Sequence, residues 1–325
     1  MDKLPIDLIQ YCIFDKLDFI TQIRFRQICK RLNRIDIHNI HFYVNIKYNN
    51  KLSDGILINY SKVKYLDASY NQKITNINHM TNLQILDASG CCGIYDNGIK
   101  YLNLIKLDAK YSPNIKNINH MTNLQILDAS WSSINDNGIK KLNLIELNAS
   151  GNRKIKNINH MTNLQILDAS YNCGIDDNCI KNLNLIKLYA SDNPKITNIN
   201  HMTNLQILYA SFNCGINDDS IKNLNLVKLN ARNNSKITNI NHMTNLQILY
   251  ASGNCGIDDN GIRYLNLIEL NASNNLKITN VNHMTNLQIL DASGSLCGLD
   301  DNGIDDLNLI KLSALHNSKI RKKIN

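Results

Sequence analysis

Short apolar alternations recur along most of this chain. Leu86 then Ala88, or Leu167 then Ala169, repeat with the period of two expected of a brief strand. Most such segments fit L-x-x-L-x-A-x-x-N followed three residues later by Ile, with Cys91, Ser112, Ser132 or Ser295 in place of Asn elsewhere, and the next begins 20 or 21 residues on. The nonapeptide NHMTNLQIL marks every second segment. It starts at Asn78, Asn119, Asn159, Asn200, Asn241 and Asn282, with copies 40 or 41 residues apart. So strict a period means one small unit stacked many times. Clear units begin from Val63 to Leu309, and a degenerate first one sets Val44, Ile46, Asn49 and Leu52 against Leu66, Ala68, Asn71 and Ile74.

The unit length and its spacing of leucines resemble leucine-rich repeats. The expected fold is an α/β repeat solenoid, an arc of about fourteen units of 20–21 residues, with parallel strands on the concave side and short helices outside. Three residues past each inward Ala stands Asn in nine units: Asn71, Asn152, Asn172, Asn193, Asn213, Asn234, Asn254, Asn275 and Asn317. The chain leaves the strand there, and an inward amide can satisfy backbone groups without ladder partners. On the outer side, Asp177 or Asp259 is placed to cap a short helix carrying Ile180 or Ile262 inward. Thr197 or Thr238 takes a capping-like place before a 3₁₀-type turn.

The first forty residues do not repeat. Leu8, Ile9, Cys12, Ile13 and Leu17, then Ile20, Ile23, Phe25, Ile28, Cys29 and Leu32, fall at helical spacing. They predict two or three short amphipathic helices too small for a core of their own, which suits a cap on the first open rung. Leu4, Pro5 and Asp7, then Ile13, Phe14 and Leu17, then Arg26, Gln27, Ile28, Cys29, Lys30 and Arg31 also follow, in order, the pattern of an F-box, which this stretch resembles. Two departures stand out. One extra residue before Ile13–Phe14 turns the first helix by about 100°, and the closing aromatic is Leu32. The following Asn- or Cys-containing G-I-x-D-x-G-I strings are similar to the cysteine-containing repeats common in F-box proteins. Abundant Asn, Ile, Lys and Tyr resemble F-box proteins of giant DNA viruses or AT-rich amoebal genomes.

The resemblance implies an F-box at 1–38, with a repeat domain at 39–325. It implies a substrate-recognition subunit of a Skp–cullin–F-box-type ubiquitin ligase that docks a Skp-type adaptor through Leu4, Pro5, Ile13, Phe14, Leu17, Ile28 and Cys29. The alternative is a non-catalytic repeat scaffold or decoy without a ligase role. The expectation is a monomer within a complex, in the cytoplasm (the host's, for a viral chain) with the nucleus also open.

Composition narrows the partners. The net charge of +8 over 325 residues is mild. Its clusters, Lys30, Arg31 and Arg34, then Lys319, Arg321, Lys322 and Lys323, form no basic stripe with interleaved aromatics, so no nucleic acid is expected. No apolar run reaches the ~20 residues that span a bilayer, so no membrane is expected. Nine cysteines, odd in number and mostly phased with the repeat, suit a reducing compartment. Successive His79, His120, His160, His201, His242 and His283 sit two rungs apart, roughly 10 Å, too far to share a metal, and each is expected to bond the backbone of its own outer turn. The DDNG strings around Asp258 and Asp300 lack the closing Glu of a calcium loop. With no nucleophile–base–acid set and no glycine-rich phosphate loop, no catalytic residue, metal or cofactor is expected.

Specificity then falls to the concave face. The column between Leu and Ala runs Asp67, Asp87, Asp108, Asp128, Asn148, Asp168, Tyr189, Tyr209, Asn230, Tyr250, Asn271 and Asp291. It is acidic early and aromatic in the middle. Tyr, Trp and Arg dominate interface hot spots, so Trp131, Tyr171, Tyr189, Tyr209, Phe212, Arg232 and Tyr250 are the expected contacts to a target protein.

Overall fold

A computed structural model of the chain describes residues 5–13, 16–17, 19–27, 35, 37, 39–40 and 52–321. The chain forms two compact units, Met1–Asn148 and Ala149–Asn325. In the first, α1 (Ile6–Cys12) and α2 (Phe19–Gln27) precede strands β1 (Asn39–Ile40), β2 (Tyr65–Asp67), β3 (Ile85–Asp87), β4 (Lys106–Asp108), β5 (Ile126–Asp128) and β6 (Glu146–Asn148). The second holds β7 (Ile166–Asp168), β8 (Lys187–Tyr189), β9 (Ile207–Tyr209), β10 (Lys228–Asn230), β11 (Ile248–Tyr250), β12 (Glu269–Asn271), β13 (Ile289–Asp291) and β14 (Lys311–Ser313). Within each unit, neighbouring strands pair in parallel, position for position. This is the expected parallel-strand solenoid. The first strand differs in register: Ile40, not Val44, lies opposite Leu66. Ile35 and Ile37 are already buried just ahead of β1, which starts the stack earlier, and Val44 and Ile46 lie outside the described residues.

From β2 to β13 each strand buries its central Leu and leaves the two flanking residues at least half-exposed on the concave side. The chain then turns inward on Ala and on a buried amide. Asn193 Nδ2 donates to the Ala169 and Ile175 carbonyls of the preceding rung, at 2.8 and 3.1 Å, while its Oδ1 accepts from Lys195 N at 3.1 Å. Asn234, Asn275 and Asn317 repeat this arrangement. The column is not uniform, however. Asn172, Asn213 and Asn254 are exposed, and the next residue, Cys173, Cys214 or Cys255, is buried in their place. These units are 21 residues long. The extra residue is absorbed in the turn, which pushes Asn outward and brings a thiol in; Cys173 Sγ donates to Ala169 O at 3.2 Å.

The outer side is tied together in the same way, between rungs. The helix N-caps are Asp176 and Asp258, which accept from Cys179 N and Gly261 N, rather than Asp177 and Asp259. Those two sit one residue later and reach the following rung, where Asp177 accepts from the backbone and hydroxyl of Thr197, and Asp259 from Thr279. The first residue of each NHMTNLQIL copy clamps the helix of the next rung. Asn241 donates to Asn260 O at 2.7 Å and accepts from Tyr264 N at 3.0 Å. The histidines also differ from expectation: Nε2 of His120, His201, His242 and His283 meets the carbonyl of Ile99, Ile180, Ile221 and Ile262, one rung back and not in its own turn. A five-membered ring extends too far from its own tight turn and meets the neighbour instead.

The last residue of most strands is Asp or Asn, whose Oδ1 accepts from the backbone N–H two residues on, as in Asp67 to Ser69, Asp87 to Ser89, Asp108 to Lys110 and Asp128 to Ser130. This is an Asx turn, and it fixes the exit from the strand. In the first unit the register sets these carboxylates on adjacent strands. Burial pushes Asp108 up to about 6, against the Lys110 N–H and with the help of Asp128 and Asp87.

Two outcomes follow from this framework. Replacing Asn193 by Ala leaves the Ile175 carbonyl and the Lys195 N–H unmatched and the Ala169 carbonyl with only the Cys173 thiol, and should cost about 3 kcal/mol. Asn213→Ala, at the corresponding place in the sequence pattern but exposed, should stay within about 0.5 kcal/mol; urea unfolding midpoints compare them. Because the folded Asp108 carboxyl titrates near 6, above its ordinary 3.8, the folded chain holds a proton there that the unfolded chain has released. Its stabilising contribution is complete below the ordinary value and lost as pH rises through 6. Melting temperatures at pH 5 and pH 7 should therefore differ less for Asp108→Asn than for the native chain.

Candidate functional site

The exposed turn after each strand places the residue two beyond Ala in the left-handed region. Tyr70, Tyr111, Trp131, Tyr171 and Phe212 have φ of 54–58°, where Gly90, Gly151 and Gly253 stand in other rungs. A non-glycine residue there is held at about 1–2 kcal/mol, and bulky aromatics are uncommon in that conformation. These five side chains are nevertheless 44–63% exposed, so no core packing accounts for their size. In the first unit Tyr111 and Trp131 stack at 6.4 Å, with Lys110 Nζ 5.3 Å from the Tyr111 ring centre.

In the second unit, Tyr189, Tyr209 and Tyr250 occupy the strand-end position that elsewhere carries the turn-closing Asp or Asn. A phenol cannot reach back to the N–H two residues on. One replacement is visible: Ser211 N donates instead to Ser191 Oγ, at 3.2 Å. The register sets Tyr189, Tyr209, Asn230 and Tyr250 side by side, and beside them Lys187, Ile207, Lys228 and Ile248. The Tyr189 and Tyr209 rings stack at 4.6 Å and 24°. Lys187 Nζ lies 4.7 Å from the Tyr189 ring centre; Lys228 Nζ lies 4.7 Å from that of Tyr250 and donates to its hydroxyl at 3.3 Å. Burial disfavours the charge on Lys228, but the Tyr250 hydroxyl and the Tyr209 oxygen outweigh it and raise the lysine's pKa. Arg232 lies 5.6 Å from the Phe212 ring centre.

Of the residues expected to meet a target, the structure thus joins Tyr189 to Tyr209 and Phe212 to Arg232, and links Tyr209 to Tyr250 through Lys228. Tyr171 stands on the rim of the second unit and Trp131 on that of the first. Lys187 and Lys228 are not among the contacts expected from the sequence. The signal was present, since a residue two before each Tyr shares its face of a strand.

At the N-terminus, Pro5 is exposed and accepts from Ile9 N at the start of α1, while Ile13 closes that helix and Leu17 follows it, both half-buried. Leu8 is 49% exposed and Ile9 is buried. Leu4, Phe14, Ile28 and Cys29 lie outside the described residues.

Among the described residues, no group of three or more His, Cys, Asp or Glu side chains could hold a metal ion, and no helix is long and apolar enough to cross a membrane. Burial pushes the thiols of Cys173, Cys214 and Cys255 up to about 11, which keeps them protonated and unreactive.

Residues 1–43 match the F-box domain family. No curated protein sequence matches the chain. Among solved structures, the TLR13–ssRNA13 complex shares the fold at 20% identity and a TM-score of 0.55, over 78% of this chain and 43% of that one. An internalin, InlF of Listeria monocytogenes, does so at 19% identity and a TM-score of 0.50, over 86% and 85%. The chain therefore spans less than half the length of the TLR13 chain it matches, and these likenesses concern the fold. Joined on one polypeptide are an F-box domain and a solenoid of the leucine-rich-repeat kind.

Proposed function

We propose that this chain is the substrate-recognition subunit of a Skp–cullin–F-box-type ubiquitin ligase and takes no catalytic part itself. The observation that carries the reading is an F-box match directly ahead of a repeat array whose concave face bears clustered tyrosines. In this reading residues 1–38 dock the Skp-type adaptor through Leu4, Pro5, Ile13, Phe14, Leu17, Ile28 and Cys29, and residues 39–325 hold the target. The exposure of Pro5 and Leu8 on α1 leaves apolar surface for the adaptor. Tyr189, Tyr209 and Tyr250, with Trp131, Tyr171, Phe212 and Arg232, are the proposed target contacts. Tyrosine supplies large, rigid contact area at small entropic cost, and at three strand ends it displaces a side chain with a structural use.

Adaptor capture tests the first half. The full chain should retain a purified Skp-type adaptor, and Leu4→Ala with Pro5→Ala should weaken that capture at least tenfold. An adaptor that fails to bind the native chain would make the protein a repeat scaffold. For the second half, replacing Tyr189, Tyr209 and Tyr250 together by Ala should abolish capture of a ubiquitinated target while adaptor binding persists. Undiminished target capture would remove the tyrosines from the site.

A further inference from the structure

The charged residues within strands β8 to β11 are all lysines. Lys187 and Lys228 point to the concave face from alternate strands, Arg232 follows β10, and none of the four strands contains a carboxylate. The window is bounded by acid, with Asp168 at the end of β7 and Glu269 at the start of β12. The one carboxylate in the turns of the window, Asp192 after β8, accepts from the Asn213 N–H at 3.4 Å. The lysines rest against tyrosine rings and a tyrosine hydroxyl, which leaves donors on each ammonium for a ligand.

From this charge pattern we infer that the target segment held here is acidic and extended, crossing the strands with an Asp or Glu at every third residue. The inference rests on the proposed target-binding role of the tyrosines and assigns its chemistry. The two lysines stand two rungs apart, roughly 9–10 Å at the spacing of hydrogen-bonded strands. A polyproline II segment turns once in three residues and rises about 3.1 Å per residue, so side chains i and i+3 lie on one face about 9.3 Å apart. Its carboxylates therefore reach Lys187 and Lys228 together. The stacked Tyr189–Tyr209 pair lies beside the lysines, two residues further along the strands, as a flat aromatic floor of the kind that receives such segments. Asp168 and Glu269 repel the same segment at either end and hold it in register.

The test is fluorescence anisotropy on the full chain with labelled twelve-residue peptides made of Glu-Pro-Ala triplets. The glutamate peptide should bind, weaken as sodium chloride is raised, and bind at least tenfold better than its glutamine counterpart or a peptide of the same composition with glutamates in one block. Lys187→Gln with Lys228→Gln should weaken it at least tenfold, with the circular dichroism spectrum and adaptor capture unchanged. Lys311→Gln, on a strand outside the window, should leave it as it is. Equal binding of the glutamine peptide, equal binding by the double lysine variant, or tight binding only when phosphoserine replaces glutamate would overturn the assignment. If the lysine variant still captures the ubiquitinated target while the triple tyrosine variant does not, the target site stands and only its acidic ligand falls. If neither loses the target, the site itself is wrong.

Discussion

Strands of three residues leave most of each rung's backbone without a ladder partner, and a buried peptide group left unmatched is expensive. The rungs solve this by borrowing. Asn193 donates to two carbonyls of the rung before it, Asp177 accepts from two N–H groups and a hydroxyl of the rung after it, and Asn241 holds the next outer turn at Asn260 O and Tyr264 N. The apolar columns of Leu, Ala, Ile and Met provide the burial. These polar ties determine how far apart successive rungs stand and how each is turned.

That arrangement explains why the concave face is free to vary. Its flanking strand positions take little part in holding the stack, apart from the Asx turn at the strand end. Where Asp or Asn remains, the turn is closed locally; where Tyr replaces it at 189, 209 and 250, the closure is given up for ring surface beside two lysines. In the first unit the same column keeps its carboxylates at strand spacing, and their burial, with a smaller part from crowding, shows in the raised pKa of Asp87 and Asp108.

The repeat period, the strand alternation and the F-box pattern were legible because each depends on side-chain type at fixed spacing. What spacing alone could not tell was which chain a side chain would bond. His201 and Asp177 look like local caps in the sequence, yet both reach into a neighbouring rung, because a neighbour 20 residues away in sequence lies one strand spacing away in space. The Asn column misled at Asn172, Asn213 and Asn254 since a single inserted residue hands the inward place to cysteine. The left-handed turn under Tyr171 and Phe212 was invisible too, for no glycine marks it there.

The ties between rungs run mostly from a side chain to a neighbour's main chain. A rung therefore recognises the path of the next backbone and is largely indifferent to which residues that backbone carries on its concave side. Whole 41-residue periods are in this sense interchangeable tiles. One could be copied, deleted or moved without redesigning its neighbours, and the order of acidic, aromatic and basic patches could change by recombination faster than by point substitution.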